Sequence, residues 1–141
     1  MPVDPRRIAR AKGVEIVEVM LPDSMAGSLS KRPGRMPMIT LNSRHSPNRS
    51  TFTCAHELGH LARRKPDDDE YEWVDSRDNL SSTGKYPEEV YANEYASCLL
   101  MPEWEVHRMY YEGTLDWEMA KRFAVSCEAV HLRLARLQLD I

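Results

Sequence analysis

The stretch that most constrains this chain is "STFTCAHELGHLARR", residues 50–64, where two histidines stand four apart and a glutamate directly follows the first. At about 100° per residue, Thr53, His56, Glu57 and His60 gather on one side of a helix. Cys54, Ala55, Leu58, Leu61 and Ala62 gather on the other. Such a helix buries one face and presents imidazole, carboxylate and imidazole from the opposite one. The i, i+4 spacing lets both rings reach a single ion from successive turns. Glu57 leans out of that pair, which suits it to holding a reacting water rather than the metal. Gly59 keeps the turn between the histidines free of side chain, open to a substrate or a strand. Cys54 lies on the apolar face and reads as a small core residue rather than a thiolate ligand. A catalytic zinc takes three protein ligands and leaves a fourth position to water, so one more ligand must come from elsewhere in the chain.

The rest of the sequence limits what surrounds this helix. A chain of 141 residues is expected to form one domain: 1–101 as sheet and zinc-site core, 102–141 as a helical region. A net charge of −3 argues against a protein whose main work is coating nucleic acid. No apolar run approaches the roughly 18 residues needed to span a bilayer, and the N-terminus lacks the apolar stretch of a signal peptide. Three widely spaced cysteines, Cys54, Cys98 and Cys127, fit reduced thiols in a cytoplasm better than a disulfide framework.

Local signals place the other elements. "DPRRIARAKGV" reads as a short helix, with Asp4 as cap, Pro5 at its first position and Gly13 closing it. "VEIVEVML" alternates like a half-buried strand, and "GSLSKRPGRMPMITLN" reads as a hairpin turning at Arg32-Pro33-Gly34. Ser46 and Pro47 start the histidine helix, which is expected to run to about Arg64. Residues 65–87 are polar and rich in turn formers, and read as a long surface loop. Helical spacing resumes in "EEVYANEYASCLL", and Pro102 starts "PEWEVHRMYY". Two short helices then flank "AVS", with Ser126 capping the second. The expected fold is α+β: a small, mainly antiparallel sheet packed on a zinc-binding helix pair, with a C-terminal region resembling a helix-turn-helix.

Candidates for the third ligand are His45, His107, His131, Glu88, Glu89, Glu94 and the acidic run from Asp67 to Glu70. The acidic run sits in a polar segment and reads as solvated. Ala92, Tyr95, Ala96 and Leu99 mark the buried stripe of their helix, and Glu94 points away from it. Glu88 and Glu89 both border the stripe. Glu89 is favoured over Glu88, because Asn93 follows it one turn later and its amide can accept the free N–H of a ligating histidine.

"RSTFTCAHELGHLARR" followed by "PEEVYANEYASCLLMP" resembles the ImmA/IrrE family of zinc metallopeptidases. The second stretch there often reads E-x-E-A-N-x-F-A-A-x-L-L-M-P. The resemblance extends over nearly the whole chain. It implies His56, His60 and Glu89 as zinc ligands and Glu57 as the catalytic carboxylate. Tyr91 stands where the family often has a second glutamate, Tyr95 replaces phenylalanine, and Asn93 stands where thermolysin-like peptidases carry an aspartate. The resemblance also implies a substrate class, because members cleave or antagonise helix-turn-helix repressors of mobile elements, phages or stress responses.

In such a site Glu57 would take a proton from water as it attacks a peptide carbonyl, then deliver it to the leaving amine. Tyr86, His107 and Arg77 are possible oxyanion donors. Two rival readings remain at this level. One is a zinc-containing binding protein, an antitoxin or anti-repressor, that neutralises its partner without cutting it. The other is a DNA-binding regulator using Lys121, Arg122, Arg133 and Arg136 as phosphate contacts, which the acidic balance of the chain argues against.

Overall fold

The computed structural model describes residues 2–64, 67–76 and 86–139. Helix α1 (Pro5–Ala11) opens with the Asp4 carboxylate accepting the Arg6 N–H at 3.1 Å. Gly13, at φ +78°, turns the chain out of it into β1 (Glu15–Val19). Strands β2 (Met25–Lys31) and β3 (Met38–Asn42) form the expected hairpin, with Gly34 at φ +75° in its turn. Ser46 Oγ then accepts the Arg49 N–H at 3.3 Å, and Pro47 starts α2 (Pro47–Ala62).

Residues 71–76 correct the loop reading of 65–87. They form β4 (Tyr71–Ser76), antiparallel to β2. The strand alternates: Tyr71, Trp73 and Asp75 are the less exposed set, Glu72 and Val74 the exposed one. Turn formers on either side concealed this six-residue period-2 run. The sheet order is β1-β3-β2-β4. β2 pairs antiparallel with both of its neighbours, while β1 runs parallel to β3.

Four helices complete the described chain: α3 (Pro87–Leu100), α4 (Glu103–Tyr111), α5 (Asp116–Phe123) and α6 (Cys127–Arg136). Helix α2 serves two apolar cores. Cys54 and Leu58 pack with Ala9, Val14, Leu29, Ile39 and Leu41 under the sheet. Ala55 joins Ala96, Leu100, Met101 and the apolar faces of the last three helices. Each fully buried Leu or Ile there contributes about 1.5–3 kcal/mol of transfer free energy, and together they fix α2 between two layers.

That position overturns one expectation. The histidine face of α2 is not presented to solvent, because every residue from Thr53 to His60 is buried. Gly59 has a reason of its own. A Cβ there would stand 2.8 Å from Ala92 Cα and 3.0 Å from Tyr95 Cβ, so the missing side chain admits α3 rather than a substrate or a strand.

At the C-terminal end, α5 and α6 are joined through Ala124 at φ 57° and Ser126, whose Oγ accepts the Ala129 N–H at 3.1 Å. Three of the four cations considered for phosphate contact pair within the chain, Arg122 and Arg136 at its surface and Arg133 in its interior. Arg122 pairs with Glu105 at 2.9 Å, Arg133 is buried and donates Nε–H to Met101 O at 3.0 Å, and Arg136 pairs with Glu94. Among the described residues, no helix is long and apolar enough to cross a membrane.

Candidate metal centre

Close contact between α2 and α3 brings distant residues together. His56 and His60 project from successive turns of α2, and their rings meet edge to face with centroids 4.8 Å apart. Glu89 lies in the first turn of α3, buried, while Glu88 beside it is exposed. The Glu89 carboxylate spans both rings, with Oε2 3.0 Å from His56 Nε2 and Oε1 3.2 Å from His60 Nε2. Asn93, one turn further along α3, places Oδ1 2.8 Å from His56 Nδ1.

A fourth group arrives from β4. Asp75 is fully buried, and its Oδ2 lies 3.4 Å from His56 Nε2 and 3.5 Å from His60 Nε2. His56, His60, Asp75 and Glu89 each offer a ligand atom, and these atoms all lie within 4.8 Å of one another. A tetrahedral ion with bonds of about 2.0–2.2 Å holds its donors roughly 3.3–3.6 Å apart. The imidazole–carboxylate separations of 3.0–3.5 Å therefore suit donors around one ion.

Protonation chemistry points the same way. With Asn93 Oδ1 accepting from His56 Nδ1–H, a neutral ring turns a bare Nε2 lone pair toward two carboxylates. Either a proton on Nε2 or a bound metal cation resolves this meeting of acceptors. Burial alone would lower the His56 pKa, but the contacts to Asp75 and Glu89 outweigh it and raise it to about 9. His60 is raised by the same two carboxylates against the same opposing burial. Burial would raise the Asp75 carboxyl, yet hydrogen bonds from His56 and His60 hold it well below the usual carboxylate range. Burial, then Asp75, push Glu57 well above the ordinary glutamate value. Glu57 is fully buried beside Asp75. Buried carboxylates beside two imidazoles are costly to desolvate without a compensating cation, whether an imidazolium or a metal ion. The donor set fits a divalent ion.

Sequence reasoning therefore named four members of this cluster, His56, Glu57, His60 and Glu89, together with the Asn93 contact. Asp75 went unnamed because its strand was read as loop. The signal was its phase: it follows Tyr71 and Trp73 at period 2 on the inward face. The remaining candidates lie elsewhere. His45 is near Asp23, His107 near Glu103 and His131 against Asp116. Asp68 and Asp69 pair with Arg64 and Lys31. Cys54 is a core residue whose thiol burial pushes up to about 12. Of the possible oxyanion donors, Tyr86 is exposed, His107 is partly exposed on α4, and Arg77 lies outside the described residues.

An α+β fold with an H-E-x-x-H helix facing a carboxylate on a second helix defines a metallopeptidase-like class. Residues 9–135 match the IrrE N-terminal-like domain of the M78 peptidases, and the chain belongs to this family. It is also 36% identical over 100 residues to "Uncharacterized immunity region protein 2" of Bacillus phage phi105. That match covers 70% of this chain and 60% of the phage protein.

Proposed function

We propose that the chain is a zinc-dependent endopeptidase acting on one specific protein, a helix-turn-helix repressor of a mobile element or stress response. The observation that carries this reading is the convergence of His56, His60 and Glu89 beside Glu57. Those three side chains would hold the ion, with Asp75 placed to join them. A zinc ion held there supplies Lewis acidity, which polarises a carbonyl and acidifies water. Glu57, buried beside the two histidines, takes the proton of the attacking water and returns it to the leaving amine. Asn93 fixes the tautomer and orientation of His56 through Nδ1–H. A cleft of about 700 Å³, lined in part by Arg49, Phe52, Ser76, Ser97 and Leu132, lies one turn of α2 before His56, and none of the metal-centre side chains lines it. The repressor as substrate rests on the family and on the phage immunity-region relative.

The test is Glu57→Gln with the repressor encoded by a neighbouring gene. The variant should keep its zinc while cleavage falls by about 10²–10⁴-fold, the usual share of a general acid–base. Normal cleavage by Glu57→Gln would refute the mechanism. A second reading, a zinc-containing antitoxin or anti-repressor that binds without cutting, is favoured by the burial of the whole donor set and by Asp75 within it. Fragments that appear with the partner and vanish with a chelator would decide for the peptidase. A DNA-binding role has less support, since the chain carries a net charge of −3 and Arg133 is buried against the Met101 carbonyl. A salt-dependent DNA affinity would revive it.

A further inference from the structure

This inference rests on the metal-centre reading above and concerns the residue it did not need. Three protein donors suffice for a hydrolytic zinc site, and a fourth closes it. Asp75 Oδ2 stands almost equally far from both imidazoles, at 3.4 and 3.5 Å, where an ion shared with them would be reached. It is carried by β4, which lies at the end of the strand order and, among the described residues, pairs with β2 alone. Opposite Asp75 the β2–β4 register slips between Met25 and Gly27. Such irregularities re-aim a side chain. The rest of the inward face of β4 is clasped from α2. Trp73 stacks on His60 with centroids 5.1 Å apart and planes 10° from parallel. The Arg64 guanidinium lies 3.9 Å from the Trp73 ring and 4.4 Å from that of Tyr71. Cation–π contacts of this kind contribute on the order of 1 kcal/mol each at partly exposed sites, in addition to the antiparallel ladder that β4 shares with β2.

We propose that Asp75 is a fourth protein donor on a displaceable edge strand, so that the resting ion is enclosed by side chains and a substrate reaches it only when Asp75 withdraws. The enzyme would then be latent until something moves β4.

The test uses the full chain loaded with Co²⁺ and follows its visible absorption during titration with acetohydroxamate, a small chelating probe. The native spectrum should resist the probe at concentrations that saturate Asp75→Ala, a difference of at least tenfold. Asp75→Ala should also lose at least tenfold in Co²⁺ affinity, measured by competition with a chelator. Asp75→Asn, which keeps the shape of the side chain, should behave like Asp75→Ala and carries the comparison if the smaller residue prevents folding. A native chain that takes the probe as readily as the variants overturns the latch alone. A native chain that binds no Co²⁺ overturns the metal centre, and the latch with it. If neither variant folds, the native titration still decides, because a response at low probe concentration contradicts an enclosed ion.

Discussion

Buried charge is handled in opposite ways at the two ends of this molecule. In the C-terminal helices, the guanidinium of Arg133 donates to the Met101 carbonyl at 3.0 Å, and Glu105 meets Arg122 at 2.9 Å. Those groups are satisfied by the chain itself. Between α2, α3 and β4, Glu57, Asp75 and Glu89 are buried around two imidazoles. The first region is complete as folded. The second groups donors that could hold a metal ion.

The difference can be broken or sharpened by experiment. The largest expected effect after the Glu57→Gln loss of cleavage is on stability. Zinc at about one hundred times its dissociation constant should stabilise the fold by about 2.7 kcal/mol, and a chelator should remove that gain in a thermal melt. An unchanged melting temperature would erase the contrast. Next, Arg133→Ala should cost about 1–3 kcal/mol by leaving the Met101 carbonyl without its partner. Its loss in urea denaturation should be the same with and without zinc, because Arg133 serves the other region.

Asn93→Ala should weaken zinc binding by about 10–100-fold with little effect on the chelated protein. Asn93→Asp should recover the affinity, since a carboxylate makes the histidine a better donor; competition with a chromophoric chelator reads both. The smallest effect concerns pH. A hydrogen bond from His131, then the Trp117 N–H, hold the Asp116 carboxyl below its ordinary value. Its contribution is present above the unfolded pKa and lost as pH falls through the folded one. Asp116→Asn should therefore soften acid destabilisation slightly in denaturation curves at pH 7 and pH 3. The pair is exposed, so salt should shrink even that difference.

What could be read from sequence followed how local its signals are. The two histidines and Glu57 lie within one helix, and their angles are fixed by 3.6-residue geometry. The stripe of Ala92, Tyr95, Ala96 and Leu99 sets Glu94 aside, and Asn93 one turn away favours Glu89 over Glu88, which is still an argument within a helix. Asp75 required a tertiary fact: that six residues inside a polar stretch pair with β2 and turn alternate side chains toward α2. Gly59 was misread for the same reason, since only the packing of α3 against α2 explains it. The parallel pairing of β1 with β3 is likewise set by how the sheet is assembled, not by any one strand.

The account stands on one ion held jointly by α2 and α3. X-ray absorption at the zinc edge of the loaded full chain tests it most directly. It should show one zinc per chain with two imidazole nitrogens and carboxylate oxygens near 2.0–2.2 Å, and no sulfur at about 2.3 Å. A chain that binds no zinc, or a zinc held by sulfur or by fewer than two imidazoles, would contradict it.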